Sequence, residues 1–144
     1  MISLSSRVVT ATLDTLRSCG AGSRECLLYW TAGDDRGDVA RVVHPIHDST
    51  WSSCEVDGAW ATRFFLDLPD RAERTVAQVH THPGPFVEHS ATDDAHVLVP
   101  STGFVSIVVP YFGLRDDHDG WGIWQLGSDG SWAAAPEVIT WRTG

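Results

Sequence analysis

The run His80-Thr81-His82-Pro83-Gly84-Pro85-Phe86-Val87-Glu88-His89-Ser90-Ala91-Thr92-Asp93 carries more chemistry than any other part of this chain. It grows out of Thr75-Val76-Ala77-Gln78-Val79, whose β-branched residues predict a strand reaching His82. Residues two apart on a strand point to the same face, so the imidazoles of His80 and His82 converge. Pro83-Gly84-Pro85 breaks the strand just past the second imidazole. Ser90 predicts a helix start, with Asp93 in its first turn, where the carboxylate can return to the two rings. Two ring nitrogens and one carboxylate suit zinc and leave the fourth tetrahedral position open, as in catalytic rather than structural zinc sites. A lone His-x-His is a weak signal, and Ser90 with Asp93 alone reads as a helix cap. At this chain's composition, all five positions would match by chance about once in ten thousand sequences.

Outward from this run, helix and strand signals alternate. Ser5 or Ser6 caps a predicted helix to about Ser18, with Val9, Leu13 and Leu16 on one stripe; Gly20, Gly22 and Ser23 end it. Glu25-Cys26-Leu27-Leu28-Tyr29-Trp30 predicts a strand, Gly33-Asp34-Asp35-Arg36-Gly37 a hairpin turn, and residues 39–43 the partner strand. Residues 44–57 are polar and rich in turn formers. Trp60, Phe64 and Leu68 mark a helix over 58–68, capped by Asp57 and ended by Pro69. Residues 104–109 form a strong strand signal before Pro110. Residues 121–126 and 138–141 predict closing antiparallel strands on either side of the turn Gly127-Ser128-Asp129-Gly130. No internal repeat is present. The pattern is that of one α/β or α+β domain over residues 1–144.

The chain has 144 residues, a net charge of −9, 42% hydrophobic and 20% charged residues. That composition excludes a disordered or fibrous chain. No apolar run approaches the roughly 18 residues that span a bilayer. The first residues lack a basic segment followed by an apolar one, so a cytoplasmic protein without an export signal is expected. An acidic chain with scattered basic residues argues against nucleic acid as a partner. Cys19, Cys26 and Cys54 are odd in number and lack CxxC spacing, so reduced, mostly buried thiols are expected, with no disulfide framework and no thiolate zinc site. His44, His47 and His118 read as solvent-facing loop residues, and so does His89 beside Ser90. His96 falls on the same predicted helix as Asp93. Trp30 and Trp60 are core candidates, while Trp121 and Trp124 fall on opposite sides of a strand.

Segment 80–93 resembles the zinc-ligand signature of the JAMM (MPN+) metalloproteases at each fixed position. Glu25 stands where that family places an upstream glutamate, on the first strand after the first helix. Phe104-Val105-Ser106-Ile107-Val108-Val109-Pro110 is similar to the strand that follows the family's ligand helix. The likeness spans about residues 5–126. It implies a mixed, mostly antiparallel curved sheet flanked by helices, and one zinc ion per chain. It implies that His80, His82 and Asp93 hold the zinc, that Glu25 is the general acid/base, and that Ser90 hydrogen-bonds the oxyanion formed from a carbonyl. Among rival acids, Glu73 lies roughly 20 Å up an extended strand. Glu88 reads as a loop charge, Glu55 and Glu137 have no link to the site, and Asp94 points about 100° away from Asp93 on a helix.

The activity implied is zinc-dependent hydrolysis of a peptide or isopeptide bond. The substrate implied is a ubiquitin-like or sulfur-carrier protein, processed at its C-terminal tail by a compact, prokaryote-like family member. Two other readings are weighed: a non-catalytic interaction domain of the same fold, and a cupin-like sandwich holding non-haem iron through His80, His82 and Glu88.

Overall fold

The computed structural model describes residues 1–33, 36–88, 99 and 101–142. In chain order its elements are β1 (Ile2–Leu4), α1 (Ser6–Gly20), β2 (Leu27–Gly33), β3 (Val39–Val43), β4 (His47–Ser49), β5 (Cys54–Val56) and α2 (Gly58–Asp67). They continue with β6 (Glu73–Thr81), β7 (Val105–Val109), β8 (Gly122–Leu126), β9 (Trp132–Ala134) and β10 (Ile139–Trp141).

The main sheet runs in the order β3-β2-β6-β7-β8-β9. Every neighbouring pair in it is antiparallel except β6 and β7, which are parallel. The architecture is therefore α+β with a mixed, mostly antiparallel sheet, as the sequence leads one to expect. A cupin-like sandwich is excluded, because helices cover both faces of the central strands.

That two-sided cover explains the unbroken apolar run of β2. Leu28 and Trp30 join Leu13 and Leu16 of α1, together with Val79 and Ile107, in one cluster. Leu27 and Tyr29 point the other way and meet Phe64 and Leu68, with Trp60 and Phe65 packed around them. The fully buried indole N–H of Trp30 donates to the hydroxyl of Thr12 at 2.9 Å, which ties α1 to β2.

α1 and α2 start and stop for local reasons. The Ser5 hydroxyl accepts from the Val8 N–H, and Ala21 closes α1 in the left-handed conformation. The Asp57 carboxylate caps α2 through the Trp60 N–H at 2.9 Å, and Pro69 opens a short 3-10 turn beyond it. Among the described residues no helix is long and apolar enough to cross a membrane.

Several expectations are corrected. Residues 44–57 are not an idle loop: they hold the β4–β5 hairpin. The last strand does not close the main sheet. β10 pairs in parallel with β1, Ile2 facing Ile139, while β9 is the antiparallel neighbour of β8. Strands of three residues carry too little alternation to be read, and the pairing of the two chain ends depends on contacts far apart in sequence. Cys19 and Cys26, expected as reduced thiols, are joined as a disulfide, because the end of α1 folds back over the start of β2. His118 is not a free loop residue: it stacks on Trp141, ring centres 3.7 Å apart, and meets Trp121 edge-on.

Candidate metal centre

The pairing of β2 with β6 sets the geometry. Leu27 faces His80 in the ladder, and the Thr81 N–H donates to the Cys26 carbonyl at 3.0 Å. Glu25 lies two residues before Leu27, at the end of the ladder from which His82 emerges. Directly opposed residues of an antiparallel pair share a face, as do residues two apart on one strand. Glu25 sits at the same end of the ladder as His80 and His82, whose rings face the α2 side where Leu27 packs. All three are buried, at 6%, 4% and 7% exposure, and the two imidazole centres lie 5.1 Å apart. Ser90 and Asp93 lie outside the described residues, as do His89, Asp94 and His96.

The backbone that carries these groups is fixed from several directions. The Thr81 hydroxyl, fully buried, accepts the Cys26 N–H at 2.9 Å, so a side chain of the histidine strand holds the residue after Glu25. The Glu25 N–H donates to the Thr50 carbonyl at 2.8 Å, which brings the β4–β5 hairpin against it. The His82 N–H donates to the Val109 carbonyl, and the His82 carbonyl accepts from the Phe112 N–H, each at 2.9 Å. Phe112 and its neighbour Tyr111 both have positive φ, 54° and 56°. Two adjacent side-chain-bearing residues in that region are strained, and such strain persists only where the surroundings hold it. Here the turn clamps the segment at His82 and Gly84, whose carbonyl accepts the Tyr111 N–H. Neither Thr81 nor this turn was singled out from the sequence. A buried threonine in a strand carries no signal until its partner strand is known.

The ring of His82 is also oriented. Its Nδ1 lies 2.8 Å from the Phe86 carbonyl oxygen. A carbonyl only accepts, so Nδ1 carries the proton and Nε2 bears the lone pair of the neutral ring. This is the arrangement that metal-binding histidines use. The Phe86 loop is held in turn, because the Val87 carbonyl accepts the Trp124 Nε1–H at 2.9 Å. Gly122 makes this approach possible: a Cβ there would collide with the Val87 carbonyl oxygen and would sit 2.9 Å from the Trp124 Nε1.

The surrounding groups are polar but engaged. Gln78, two residues before His80, donates from Nε2 to the Ser106 hydroxyl at 3.0 Å, and both are buried. Glu73 is committed elsewhere, accepting from Arg41 at 2.7 Å and from the Thr31 hydroxyl at 3.2 Å. Burial, and then the Glu25 carboxylate, push the Cys54 thiol up to about 12. Burial, and then Cys54, raise the Tyr29 phenol well above its usual range. Cys54 on β5 thus places an uncharged group near Glu25, in a segment that the sequence alone gave no link to the site.

A second cluster lies on the opposite side of β2. Ligand-type atoms of Cys19, Cys26, His44 and His47 all fall within 4.8 Å of one another. The sequence placed the two histidines in solvent. His44 is indeed exposed, but its Nε2 approaches the Cys26 sulfur at 3.3 Å, and the His47 Nε2 approaches the Cys19 sulfur at 3.2 Å. Burial and the neighbouring His47 lower the pKa of His44. The available signal was His-x2-His just after a strand, which the search for CxxC pairs passed over.

No protein-family profile matches the chain. A probable metalloprotease of Sinorhizobium fredii is 29% identical over 134 residues, covering 88% of this chain and 82% of the relative. Among solved structures, a Desulfitobacterium hafniense protein determined in solution superposes with a TM-score of 0.71 at 14% identity, covering 100% of this chain and 94% of that one. A JAB1/MPN domain protein of Archaeoglobus fulgidus gives a TM-score of 0.56 at 12% identity, covering 96% and 97%. A structure described as JAMM, a metalloprotease-like zinc site in the proteasome and signalosome, gives 0.53 at 14% identity, covering 97% and 98%. The chain has the JAB1/MPN fold, and the resemblance read from its sequence is borne out.

Proposed function

We propose that this chain, built on the JAB1/MPN fold, is a zinc-dependent amide hydrolase that cuts a peptide or isopeptide bond at the C-terminal tail of a ubiquitin-like or sulfur-carrier protein. The observation that carries the reading is the buried pair of His80 and His82, ring centres 5.1 Å apart at the end of β6, with Glu25 buried just ahead of the strand that pairs with it. Two buried imidazoles beside a buried carboxylate suit a divalent cation. The His82 ring, with Nδ1 committed to the Phe86 carbonyl, presents its other nitrogen in ligand form.

In this reading His80, His82 and Asp93 hold one zinc ion. Bound there, zinc supplies Lewis-acid polarisation of the scissile carbonyl and lowers the pKa of water. Glu25 takes a proton from the attacking water and hands it to the leaving amine. The Ser90 hydroxyl donates to the oxyanion as the carbonyl becomes tetrahedral. Burial of the three groups excludes bulk water and strengthens each electrostatic contact. An extended tail offers its backbone for strand-like hydrogen bonding, which suits a substrate with a flexible C-terminus.

The test uses a ubiquitin-like or sulfur-carrier protein bearing either a C-terminal peptide extension or a lysine-linked conjugate. Glu25→Gln keeps bound zinc and loses cleavage. Asp93→Ala loses one equivalent of zinc, whereas Asp94→Ala keeps it. Turnover retained in Glu25→Gln would move the base elsewhere, and unchanged zinc in Asp93→Ala would refute that ligand.

A further inference from the structure

The cluster on the other side of β2 is independent of the hydrolase reading. Four side chains from separate segments meet there: Cys19 from the last turn of α1, Cys26 from the residue before β2, His44 from the residue after β3 and His47 from the start of β4. The His47 Nδ1 lies 2.9 Å from the Pro45 carbonyl oxygen, so it carries the proton and Nε2 holds the lone pair facing the Cys19 sulfur. His47 therefore aims a lone pair at the Cys19 sulfur. A disulfide sulfur has no proton to offer an imidazole nitrogen, so in the oxidised chain the His47–Cys19 contact at 3.2 Å brings together two atoms with no hydrogen between them, and the His44 Nε2 stands 3.3 Å from the Cys26 sulfur. A cation at the centre satisfies them all.

We infer that the reduced chain binds a structural zinc ion through Cys19, Cys26, His44 and His47. Two thiolates and two imidazoles fill the four tetrahedral positions and leave none for substrate. Zinc bonds of about 2.0–2.3 Å place tetrahedral ligand atoms about 3.3–3.8 Å apart. The imidazole–sulfur contacts, at 3.2 and 3.3 Å, are close to that spacing, all four ligand atoms fall within 4.8 Å of one another, and the two bonded sulfurs have to separate on reduction. The carbonyl behind His47 is the outer partner that fixes a ligand ring. A surface depression lined by Asp14, Thr15, Ser18, Cys19 and His44 gives an ion a route in, past a carboxylate. Each thiolate can serve the metal or the disulfide but not both, so the site belongs to the reduced protein. The ion would fasten α1 and the β3–β4 connection to Cys26, the residue next to Glu25.

Cobalt(II) distinguishes the two centres, because the site at His80 and His82 contains no sulfur. The full chain, reduced with a phosphine and loaded with cobalt(II), shows the thiolate-to-cobalt charge-transfer band. Absence of that band in the reduced wild-type protein overturns the inference. Under the same conditions His80→Ala/His82→Ala retains one zinc per chain and the cobalt band, and loss of both would likewise overturn it. Cys19→Ser and His44→Ala change residues at the open side of the cluster. Each loses one equivalent of zinc, and Cys19→Ser weakens the band, whereas unchanged zinc content in both contradicts the assignment. A wild-type chain that binds a single zinc ion and shows the band would sustain this site while refuting the metal reading of His80 and His82.

Discussion

Thr81→Val tests whether the strand bearing the histidines also positions the glutamate. Valine has nearly the shape of threonine but removes the hydroxyl that accepts the Cys26 N–H at 2.9 Å. Thr81 is fully buried and Cys26 is also at 0% exposure, so no water replaces the lost acceptor. Leaving a buried donor unsatisfied costs about 1–3 kcal/mol. At about 4 °C per kcal/mol for a chain of this size, the melting temperature falls by about 4–12 °C. Thr81→Ser keeps the acceptor and loses one buried methyl, about 1 kcal/mol. Melting temperature alone separates the two variants poorly, so the deciding assay is amide hydrogen exchange at Cys26. A local loss of about 2 kcal/mol speeds that exchange about 30-fold. The acceleration is expected in Thr81→Val and not in Thr81→Ser, and cleavage should fall in the same order. A Thr81→Val protein whose Cys26 amide stays as protected as in wild type would refute the reasoning.

Two further outcomes follow from the packing around the site. Gly122→Ala drives a methyl into the Val87 carbonyl, which is held by Trp124; it should lower stability by about 1–3 kcal/mol in urea titration, and an unperturbed midpoint would show that the loop does not approach there. The thiol of Cys54, raised to about 12 by burial and by Glu25, stays protonated through pH 9, so its alkylation by iodoacetamide in the native protein should be slow. Glu25→Gln removes the negative neighbour, lowers that pKa and should speed the reaction; an equal rate in both proteins would separate the two side chains.

The legible parts of the fold were those whose cause is local. The α1 stripe and the Asp57 cap were readable because period and capping act within one turn. The two-sided apolar run of β2 showed as a strand. His80 and His82 were readable as a pair because strand geometry alone sets residues two apart on one face. The meeting of Glu25 with the histidine end of β6 was not written in either segment. It comes from the register of β2 on β6; the family resemblance pointed to Glu25 but not to that register. The Cys19, Cys26, His44 and His47 cluster stayed hidden for the same reason, since its members lie on four elements joined only by the fold. The parallel pairing of β10 with β1 unites the two ends of the chain, and no local pattern encodes it.

The central claim is that one divalent ion sits between His80, His82 and Asp93 with Glu25 beside it. The most direct measurement is an anomalous difference map at the zinc edge from crystals of the zinc-loaded protein. The account predicts a peak about 2.0–2.1 Å from one ring nitrogen of His80 and from Nε2 of His82, with the Glu25 carboxylate outside bonding distance. A map with no peak between those two rings, or with Glu25 bonded to the ion in place of Asp93, would contradict it.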